Sequence, residues 1–427
     1  MNVAVIGMGK IGLPLAINFA LHHKNVIGVD VQEEVVDKIN NGIEPFPGEH
    51  MLEERLKKVI SEGSLTASTN LAFSISTAEV IVVCIPLMLD ENGNPEFTNM
   101  DDLVTKIGRT MKVGTLICFE TTLPVGTSRN RFTAILEVES SLLVGTDFNV
   151  VFSPERVLTG RIFHDLGTYP KLVGGVTHSC TTRGVEFYES VIDSEKRDDL
   201  SKPNGVWAME NAEAAEFAKI AETTFRDVNI GLANEFAIYA KKYGIDIYKV
   251  IEAANSQPFS HIHTPGIAVG GHCIPVYPKF YTWNNAEAQI VEAARQRNLN
   301  MPSRAVNQII EAIGSIAGMN IGILGITYRP GVKEVALSGA ITLLKLLKNE
   351  GATVFGDDPL LTREEIISLG FDGAGVPNEI EGIILQTSHS EYEEFDFMGR
   401  RNLQFFYDGR NAFPYLSEQM NFTYLSL

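Results

Sequence analysis

Short apolar runs alternate with helical patterns along the first 155 residues of the chain. One run, VAVIG, begins at residue 3, a second, NVIGVDV, ends at residue 31, and three more occupy residues 79–86, 114–122 and 148–154. Strands that alternate with helices are typical of an α/β domain with a parallel sheet. Thr122 and Glu155 lie where such strands end, at the edge where open α/β sheets bind ligands. Both are therefore candidate site residues, with helix capping as the alternative for Thr122.

The hydrophobic pattern changes near residue 207. From about Trp207 to Tyr243 the chain has apolar residues at helical spacing and no proline. The pattern predicts one helix of roughly 35 residues, about 50 Å long, a length typical of helices that bridge domains or form a subunit interface. Glu216 and Lys219 lie on this helix. Periodicity alone places them on a solvated face with ordinary ion pairs.

A third segment repeats the pattern of the first. NIGILGITYRPG (320–331) resembles a strand entering a glycine turn, ATVFGDDP (352–359) resembles the next strand, and further apolar runs cover 381–389 and 403–411. The sequence therefore predicts an α/β fold with two Rossmann-like domains joined by a long central helix and a helical bridge. We place the N-terminal Rossmann domain at 1–200, the central helical domain at 201–305 and the C-terminal Rossmann-like domain at 306–427.

The first apolar run leads into a glycine-rich turn with the spacing of a dinucleotide-binding motif. Gly7 permits the tight turn, Gly9 lets the backbone approach a pyrophosphate, and Gly12 permits close packing of helix on strand. The pyrophosphate would rest on the helix N-terminus, where free N–H groups favour an anion. The carboxylate of Asp30 would accept hydrogen bonds from the adenosine ribose and repel a 2′-phosphate. The motif therefore predicts NAD rather than NADP.

The corresponding turn of the third segment lacks the three-glycine pattern, because Gly325 is followed by Ile-Thr-Tyr-Arg-Pro. This turn is a poorer dinucleotide site, but Arg329 and Lys333 are candidates for holding another phosphate ligand. Arg410 follows the last apolar run. A guanidinium there suits bidentate contacts with phosphate or a base, and a surface ion pair is the alternative.

Composition and charge restrict the partners. Of 427 residues, 44% are hydrophobic and 21% charged, as in globular proteins, and the formal net charge of −18 argues against a nucleic-acid or anionic-membrane partner. No apolar run reaches about 18 residues and no signal-peptide layout follows Met1, so we expect a cytoplasmic protein without a membrane segment. The four cysteines lack paired spacing, which suits a reducing compartment, and we assign no metal site. Cys84 and Cys118 lie in apolar runs and are expected to be inert core residues.

Cys273 lies in the glycine-punctuated loop GIAVGGHCIPVYPKF, residues 266–280. A cysteine next to a nicotinamide cofactor favours a four-electron route, in which a thiolate adds to an aldehyde and a thioester is later hydrolysed to a carboxylate. Gly270 and Gly271 would let the substrate approach, and His272 or a lysine would lower the pKa of the thiol. A small buried thiol is the alternative interpretation.

Taken together, these motifs resemble the UDP-glucose/GDP-mannose dehydrogenase family over nearly the whole chain. The resemblance is carried by GMGKIGLP, TTLPVGTS, SPERV, AEFAKIAETTFRDVNIGLANE, GGHCIPV and the terminal DGRN. The GGHCIPV form is similar to members that oxidise UDP-N-acetylhexosamines, whereas members acting on UDP-glucose or GDP-mannose typically have a GGSC-type loop. The resemblance implies oxidation of the C6 hydroxyl of UDP-N-acetylmannosamine or UDP-N-acetylglucosamine to the acid, with two NAD reduced per sugar.

The resemblance also implies a role for each matching residue. Cys273 matches the nucleophile that forms the thiohemiacetal and thioester, and Lys219 matches the lysine that stabilises the developing oxyanion. Glu155 matches a base for the hydrolytic water, Thr122 a residue that positions water or cofactor, and Arg410 an arginine that contacts the nucleotide. The predicted cofactor contacts are Gly7, Gly9, Lys10, Ile11, Gly12, Asp30, Pro86 and Thr122. The predicted substrate contacts are Glu155, Arg156, Val157, Lys219, His261, His263, Gly270, Tyr328, Arg329 and Arg410.

The chain departs from the family pattern at three positions. Thr223 stands where the helix usually has asparagine, Tyr277 where the cysteine loop usually has aspartate, and Ala336 where many members have arginine. The threonine hydroxyl can still donate a hydrogen bond, and the tyrosine phenol can donate to an oxyanion but cannot replace a carboxylate charge. We interpret the paired change as a rewired active site and include Thr223 and Tyr277 among the catalytic residues.

Three alternatives remain at this stage. One is a UDP-glucose 6-dehydrogenase. Another is a two-electron dehydrogenase of the hydroxyacid type, which the second Rossmann-like unit and the cysteine loop disfavour. The third is a catalytically weakened protein that only binds nucleotide sugars. The resemblance further implies a homodimer formed through the central helix.

Overall fold

The computed structural model describes residues 1–283, 285–397, 399–418 and 422–427. Contacts within the chain define two compact units: the N-terminal unit, Met1–Glu222, and the C-terminal unit, Thr223–Leu427. The division into three domains stays a prediction. No helix among the described residues is both long and apolar enough to cross a membrane.

The N-terminal unit contains an eight-stranded sheet with the order β10-β9-β8-β7-β4-β1-β2-β3. All neighbours are parallel except β8 and β9. Four-residue strands such as β4 and β7 are buried at every position, as expected for strands covered on both faces. The strands are β1 Asn2–Ile6, β2 Asn25–Val29, β3 Leu65–Ser68, β4 Val80–Val83, β5 Met88–Leu89, β6 Pro95–Glu96, β7 Leu116–Phe119, β8 Asn149–Phe152, β9 Lys171–Gly175 and β10 Val206–Ala208, of which β5 and β6 form a separate hairpin.

Helices connect these strands and cover the sheet. They are α1 Gly12–Leu21, α2 Glu33–Asn40, α3 Leu52–Ser61, α4 Leu71–Thr77, α5 Thr98–Thr110, α6 Ala134–Ser140, α7 Ile162–Thr168 and α8 His178–Glu189, with a π-helical turn at Ser128–Thr133. The strand order reverses between β1 and β4, because the chain first adds β2 and β3 on one side of β1 and then adds β4, β7 and β8 on the other. Such a reversal opens a crevice at the carboxyl ends of β1 and β4, the usual ligand site of an open α/β sheet.

The long helix α9, Ala212–Lys242, crosses the boundary between the two units. The sequence predicted its start near Trp207, which is wrong by five residues. Residues 206–208 form β10 on the edge of the sheet, and the side chain of Asn211 accepts a hydrogen bond from the N–H of Ala214 at 2.8 Å. Asparagine is a preferred N-cap residue, so the helix begins directly after it.

The C-terminal unit contains a six-stranded parallel sheet with the order β13-β12-β11-β14-β15-β16. Its strands are β11 Asn320–Leu324, β12 Thr353–Asp357, β13 Gly373–Ala374, β14 Gly382–Leu385, β15 Phe405–Asp408 and β16 Thr423–Ser426. Its helices after α9 are α10 Ile247–Asn255, α11 Tyr277–Thr282, α12 Gln289–Leu299, α13 Met301–Ile313, α14 Gly339–Asn349 and α15 Arg363–Ser368, with 3₁₀ turns at Ser390–Glu394 and Pro414–Glu418. The predicted α/β class with two Rossmann-like sheets is thereby confirmed.

Candidate active site

The glycine turn after β1 has the geometry of a dinucleotide site. Gly7 has a φ of +93°, which a residue with a side chain rarely adopts. A Cβ on Gly12 would lie 1.8 Å from the carbonyl oxygen of Gly7, so only glycine allows α1 to start this close to the turn. Asp30 faces the turn: its two carboxylate oxygens accept hydrogen bonds from the N–H groups of Met8 and Gln32, each at 3.0 Å.

The residues around this turn fit NAD. A Cβ on Gly9 would meet no heavy atom within 4 Å, which leaves open space where the pyrophosphate would approach the backbone. Lys10 and Pro86 are exposed, and Ile11 is half-buried at the start of α1. The carboxylate of Asp30 lies at the end of β2, where it can accept hydrogen bonds from a ribose diol.

A buried charge cluster lies at the sheet edge where β7 and β8 end and β9 begins. The ammonium nitrogen of Lys171 is 2.5 Å from a carboxylate oxygen of Glu120 and 3.0 Å from one of Glu155. Tyr188 on α8 donates its hydroxyl to the other oxygen of Glu120 at 2.5 Å. Sequence reasoning found Glu155 but missed Glu120 and Lys171. The position of Glu120 directly after the apolar run LICF was the available signal.

Two carboxylates share one ammonium in this cluster. Burial would lower the pKa of Lys171, but Glu120 and Glu155 together raise it, so the lysine stays charged. Burial raises the pKa of Glu120 to about 7; Lys171 opposes this shift, and the carboxylate of Glu155 adds to it. When both carboxylates are ionised, the cluster therefore carries a net negative charge.

Glu155 is held in place by two donors. One carboxylate oxygen accepts from Lys171, and the other accepts from the N–H of Arg156 at 2.7 Å. The guanidinium of Arg156 is paired with Glu222 at 2.7 Å, and Val157 next to it is half-buried. Thr122 is buried after β7, and the next helical turn begins at Ser128 with Thr127 as its N-cap, so the capping interpretation of Thr122 is wrong.

Glu216 and Lys219 are buried, with exposures of 0% and 7%, so the predicted solvated face is wrong for both. The two carboxylate oxygens of Glu216 accept hydrogen bonds from the N–H groups of Gly126 at 2.5 Å and Ser128 at 2.8 Å. The loop after β7 thus covers this part of α9. Thr223, one turn after Lys219, is also buried. Burial raises the pKa of Glu216 to about 7, against the effect of its backbone donors.

Glu216 should make stability fall as the pH rises. Its carboxyl ionises near 4.5 when unfolded and near 7 when folded, so between these values the folded state binds more protons. The loss by pH 8 is on the order of 3 kcal/mol. We expect Glu216→Gln to flatten the decrease in melting temperature between pH 5 and 8. Glu186→Gln, which changes an exposed ion pair with Arg183, is the control and should keep the wild-type slope. An equal slope in both variants would contradict the assignment.

Cys273 is exposed at the turn before α11, whereas Cys118 and Cys180 are buried and Cys84 is partly buried. Burial raises the pKa of Cys84 and Cys118, in agreement with inert thiols. The carbonyl of Cys273 accepts from the N–H of Tyr277, the first residue of α11, at 3.0 Å. The loop therefore presents the thiol directly before a short helix.

Tyr328 fills the space next to the two loop glycines. A Cβ on Gly270 would lie 2.7 Å from the Tyr328 Cβ, and a Cβ on Gly271 would lie 2.9 Å from its ring. The two glycines thus allow the side chain of Tyr328 to approach the loop backbone. Their contact with substrate stays a prediction. The His272 imidazole lies 2.7 Å from a carboxylate oxygen of Glu334, whose backbone carbonyl accepts from the N–H of Tyr328.

Arg410 ties this loop to the end of β14. Its guanidinium donates to the carbonyl oxygen of Gln386 at 2.5 Å and to that of Ala268 at 3.3 Å. Burial lowers the pKa of Arg410 to about 10. The predicted surface ion pair is thus not what holds this side chain.

The remaining predicted substrate residues are spread over the C-terminal unit. His261 is exposed, and the His263 ring packs edge-on against Phe225 with centroids 6.2 Å apart. The Arg329 guanidinium lies over the Tyr328 ring at 5.8 Å. Lys333 is paired with Glu365 at 2.8 Å, so its ammonium already has an anionic partner.

Three comparisons with known proteins agree with this geometry. Residues 1–192, 213–300 and 322–415 match the NAD-binding, central and UDP-binding domains of the UDP-glucose/GDP-mannose dehydrogenase family. The UDP-N-acetyl-D-mannosamine dehydrogenase of Pyrococcus horikoshii is 33% identical, with 93% of this chain and 91% of the relative covered. That of Campylobacter jejuni is 32% identical, with 82% and 84% covered.

A solved structure gives the same result. The UDP-D-ManNAc dehydrogenase structure from Pyrococcus horikoshii superposes with a TM-score of 0.87 at 30% identity, covering 100% of this chain and 99% of that one. The matched domains indicate NAD as cofactor and a UDP-sugar as the kind of substrate. The chain therefore belongs to the UDP-glucose/GDP-mannose dehydrogenase family and is an NAD-dependent oxidoreductase that acts on a nucleotide sugar.

Proposed function

We propose that the protein oxidises the C6 hydroxyl of UDP-N-acetyl-D-mannosamine to the carboxylate. The observation that carries this proposal is the exposed thiol of Cys273 in the GGHCIPV loop of a chain whose similar relatives bear the name of this activity. The overall reaction consumes one alcohol, one water and two NAD, and releases one carboxylate, two NADH and three protons. NAD, when bound, accepts one hydride in each of the two oxidations.

Cys273 adds to the aldehyde as a thiolate and forms a thiohemiacetal, which becomes a thioester on the second oxidation. Water then cleaves the thioester, which releases the carboxylate and regenerates the thiol. Lys219 stabilises the oxyanions of these steps with its buried charge, and Thr223, one turn further on, donates a hydroxyl. Glu155 removes the proton from the attacking water, and its fixed orientation between Lys171 and Arg156 supports that role.

The specificity test is a substrate panel. UDP-ManNAc, UDP-GlcNAc, UDP-GalNAc and UDP-glucose are each mixed with protein and NAD, and NADH absorbance and product mass are followed. We expect UDP-ManNAc to give the highest kcat/KM and two NADH per carboxylate. Preference for another sugar would replace the proposed substrate. One NADH per product would contradict the four-electron route, and no NADH with any sugar would indicate a protein that only binds nucleotide sugars.

Tyr277 should act through its phenol in this scheme. The phenol donates a hydrogen bond to the oxyanion, which a carboxylate at neutral pH cannot do. Tyr277→Asp is therefore expected to lower kcat by about tenfold or more while the KM for the UDP-sugar changes little. The fold should persist, because aspartate is favourable in the first turn of α11.

Tyr277→Phe separates this role from packing. The Tyr277 ring packs on Phe280 with centroids 5.6 Å apart, and phenylalanine keeps that contact without the hydroxyl. Both variants should lose activity to a similar extent when acid formation is measured at saturating substrate. Wild-type kcat in Tyr277→Phe would show that the tyrosine only packs.

We also propose a homodimer formed through α9. Five apolar side chains at helical spacing share one face, four of them on α9 and the fifth directly after its last residue, and they are 39–64% exposed. An exposed apolar stripe of this kind is typical of a protein–protein interface. They are Phe225, Leu232, Phe236, Tyr239 and Tyr243. Light scattering should give a dimer for the wild-type protein and a monomer for Tyr239→Glu. Val138→Glu, on α6, changes a residue that is more exposed than Tyr239 and should remain dimeric. A monomeric wild-type protein would contradict the proposal.

A further inference from the structure

We propose that Arg295 and Asp227 are positioning residues for the Cys273 loop, which they hold through a buried chain of hydrogen bonds. This inference rests on the proposed role of Cys273 as nucleophile. All participants lie in the C-terminal unit. Arg295 belongs to α12, and Asp227 belongs to α9.

One end of the chain reaches the residue after the thiol. A terminal nitrogen of Arg295 donates to a carboxylate oxygen of Asp227 at 2.6 Å and to the carbonyl oxygen of Ile274 at 3.4 Å. The side chains of Arg295 and Asp227 are 9% and 0% exposed. The guanidinium is thus fixed by a buried carboxylate and directed at the backbone next to Cys273.

The other end of the chain reaches the start of the same loop. Asn298 donates to the Asp227 carboxylate at 2.8 Å and to its backbone carbonyl at 2.9 Å. Asn234 donates to the side-chain oxygen of Asn298 at 2.8 Å, and its own oxygen accepts from the N–H of Gly266 at 2.9 Å. One connected network therefore contacts the loop at residues 266 and 274, on both sides of Gly270, Gly271 and Cys273.

A glycine-rich loop needs such external contacts. Glycine allows many backbone conformations, so the segment before Cys273 does not fix its own shape. The N–H of Ile267 donates to the carbonyl oxygen of Gly409 at 3.1 Å, and the N–H of Gly271 donates to that of Ala336 at 2.9 Å. The carbonyl oxygen of Ala268 accepts from Arg410 at 3.3 Å. These three contacts lie before the thiol, whereas the contact of Arg295 with Ile274 lies after it and comes from a different helix.

Stability alone does not explain why Arg295 and Asp227 form a buried ion pair. An apolar pair of the same size is often equally or more stabilising, because it avoids the cost of removing two charges from water. However, an apolar pair cannot donate a hydrogen bond to the carbonyl oxygen of Ile274. A shift of about 1 Å in a reacting group can lower a rate by about 10²-fold, so an anchor next to the nucleophile has a direct kinetic effect.

The test uses the double variant Asp227→Leu/Arg295→Met, which removes both charges and leaves neither unpaired. We expect kcat to fall by about 10²-fold with the KM for NAD unchanged. Hydrogen exchange in the peptide 264–280 should become faster, while the melting temperature and the exchange of the sheet stay near wild type. Asn234→Ala, which releases the Gly266 end without altering a charge, should show the same pattern to a smaller extent.

Arg297→Met is the matched control. Arg297 also lies on α12 and pairs with a residue of α9, Glu235, at 3.3 Å, but the two side chains are 38% and 63% exposed. It should match the wild-type protein in all measurements. Wild-type kcat in the folded double variant would overturn the proposal, as would faster hydrogen exchange spread evenly over the C-terminal unit. If the double variant does not fold, Asn234→Ala is judged by the same criteria. Hydrogen exchange measures the order of the loop independently of catalysis. If Cys273→Ser retained activity, the failure of the proposed function would therefore be distinguished from a failure of this inference.

Discussion

Replacement of Cys273 with serine is expected to lower the rate of acid formation by at least about 10³-fold. A serine hydroxyl is a far weaker nucleophile than a thiolate at neutral pH. The ester that serine would form is also hydrolysed less readily than a thioester. The exposed position of residue 273 means that serine fits without disturbing the core. The first oxidation does not use the thiol, so the variant should yield no more than one NADH per sugar. NADH absorbance and product mass measure both quantities.

Cys180→Ser is the control for this experiment. Cys180 is buried on α8, where its sulfur accepts hydrogen bonds from the N–H of Val150 at 3.4 Å and the hydroxyl of Thr177 at 3.1 Å. A serine oxygen can accept from the same donors, so this variant should keep wild-type turnover. Full conversion to the acid at the wild-type rate by Cys273→Ser would contradict the thioester route.

The sequence was most informative where local chemistry decides the structure. The turn from β1 into α1 requires glycine at residues 7 and 12 for steric reasons, and Asp30 faces that turn because it directly follows β2. The apolar runs that became β4, β7 and β11 are continuous because both of their faces are covered. For these elements, spacing along the chain was sufficient to predict the fold and the cofactor.

The polar networks could not be predicted in the same way. Glu120 and Lys171 are 51 residues apart, and they meet because β7, β8 and β9 are neighbours in the sheet. Asp227 and Arg295 are 68 residues apart and meet where α12 packs on α9. The burial of Glu216 likewise depends on the loop that carries Gly126. Helical periodicity predicts on which face of a helix a residue lies, but it does not predict which other segment covers that face.

Lys171→Met is expected to destabilise the protein by about 3–5 kcal/mol at pH 8, because it leaves Glu120 and Glu155 buried without their shared cation. With the ammonium present, the pKa of Glu120 is already raised from 4.5 to about 7. Without it, the carboxyl group of Glu120 resists ionisation further in the folded state, while it ionises normally when unfolded. The folded state then binds more protons than the unfolded state, so stability falls as the pH rises above 4.5, and the decrease extends beyond pH 7. Denaturation followed at pH 5, 6.5 and 8 measures the effect.

Two further variants determine whether charge or packing is responsible. Lys171→Arg keeps the cation and should retain most of the stability at pH 8. Adding Glu120→Gln to Lys171→Met removes one of the two uncompensated carboxylates, so the double variant should be more stable than Lys171→Met alone, and the difference should be largest at high pH. If Lys171→Met were equally destabilised at pH 5 and pH 8, the loss would not come from the pairing with the two carboxylates. It would come from other contacts of the lysine, such as that of its ammonium nitrogen with the Tyr188 ring, whose centroid is 5.0 Å away.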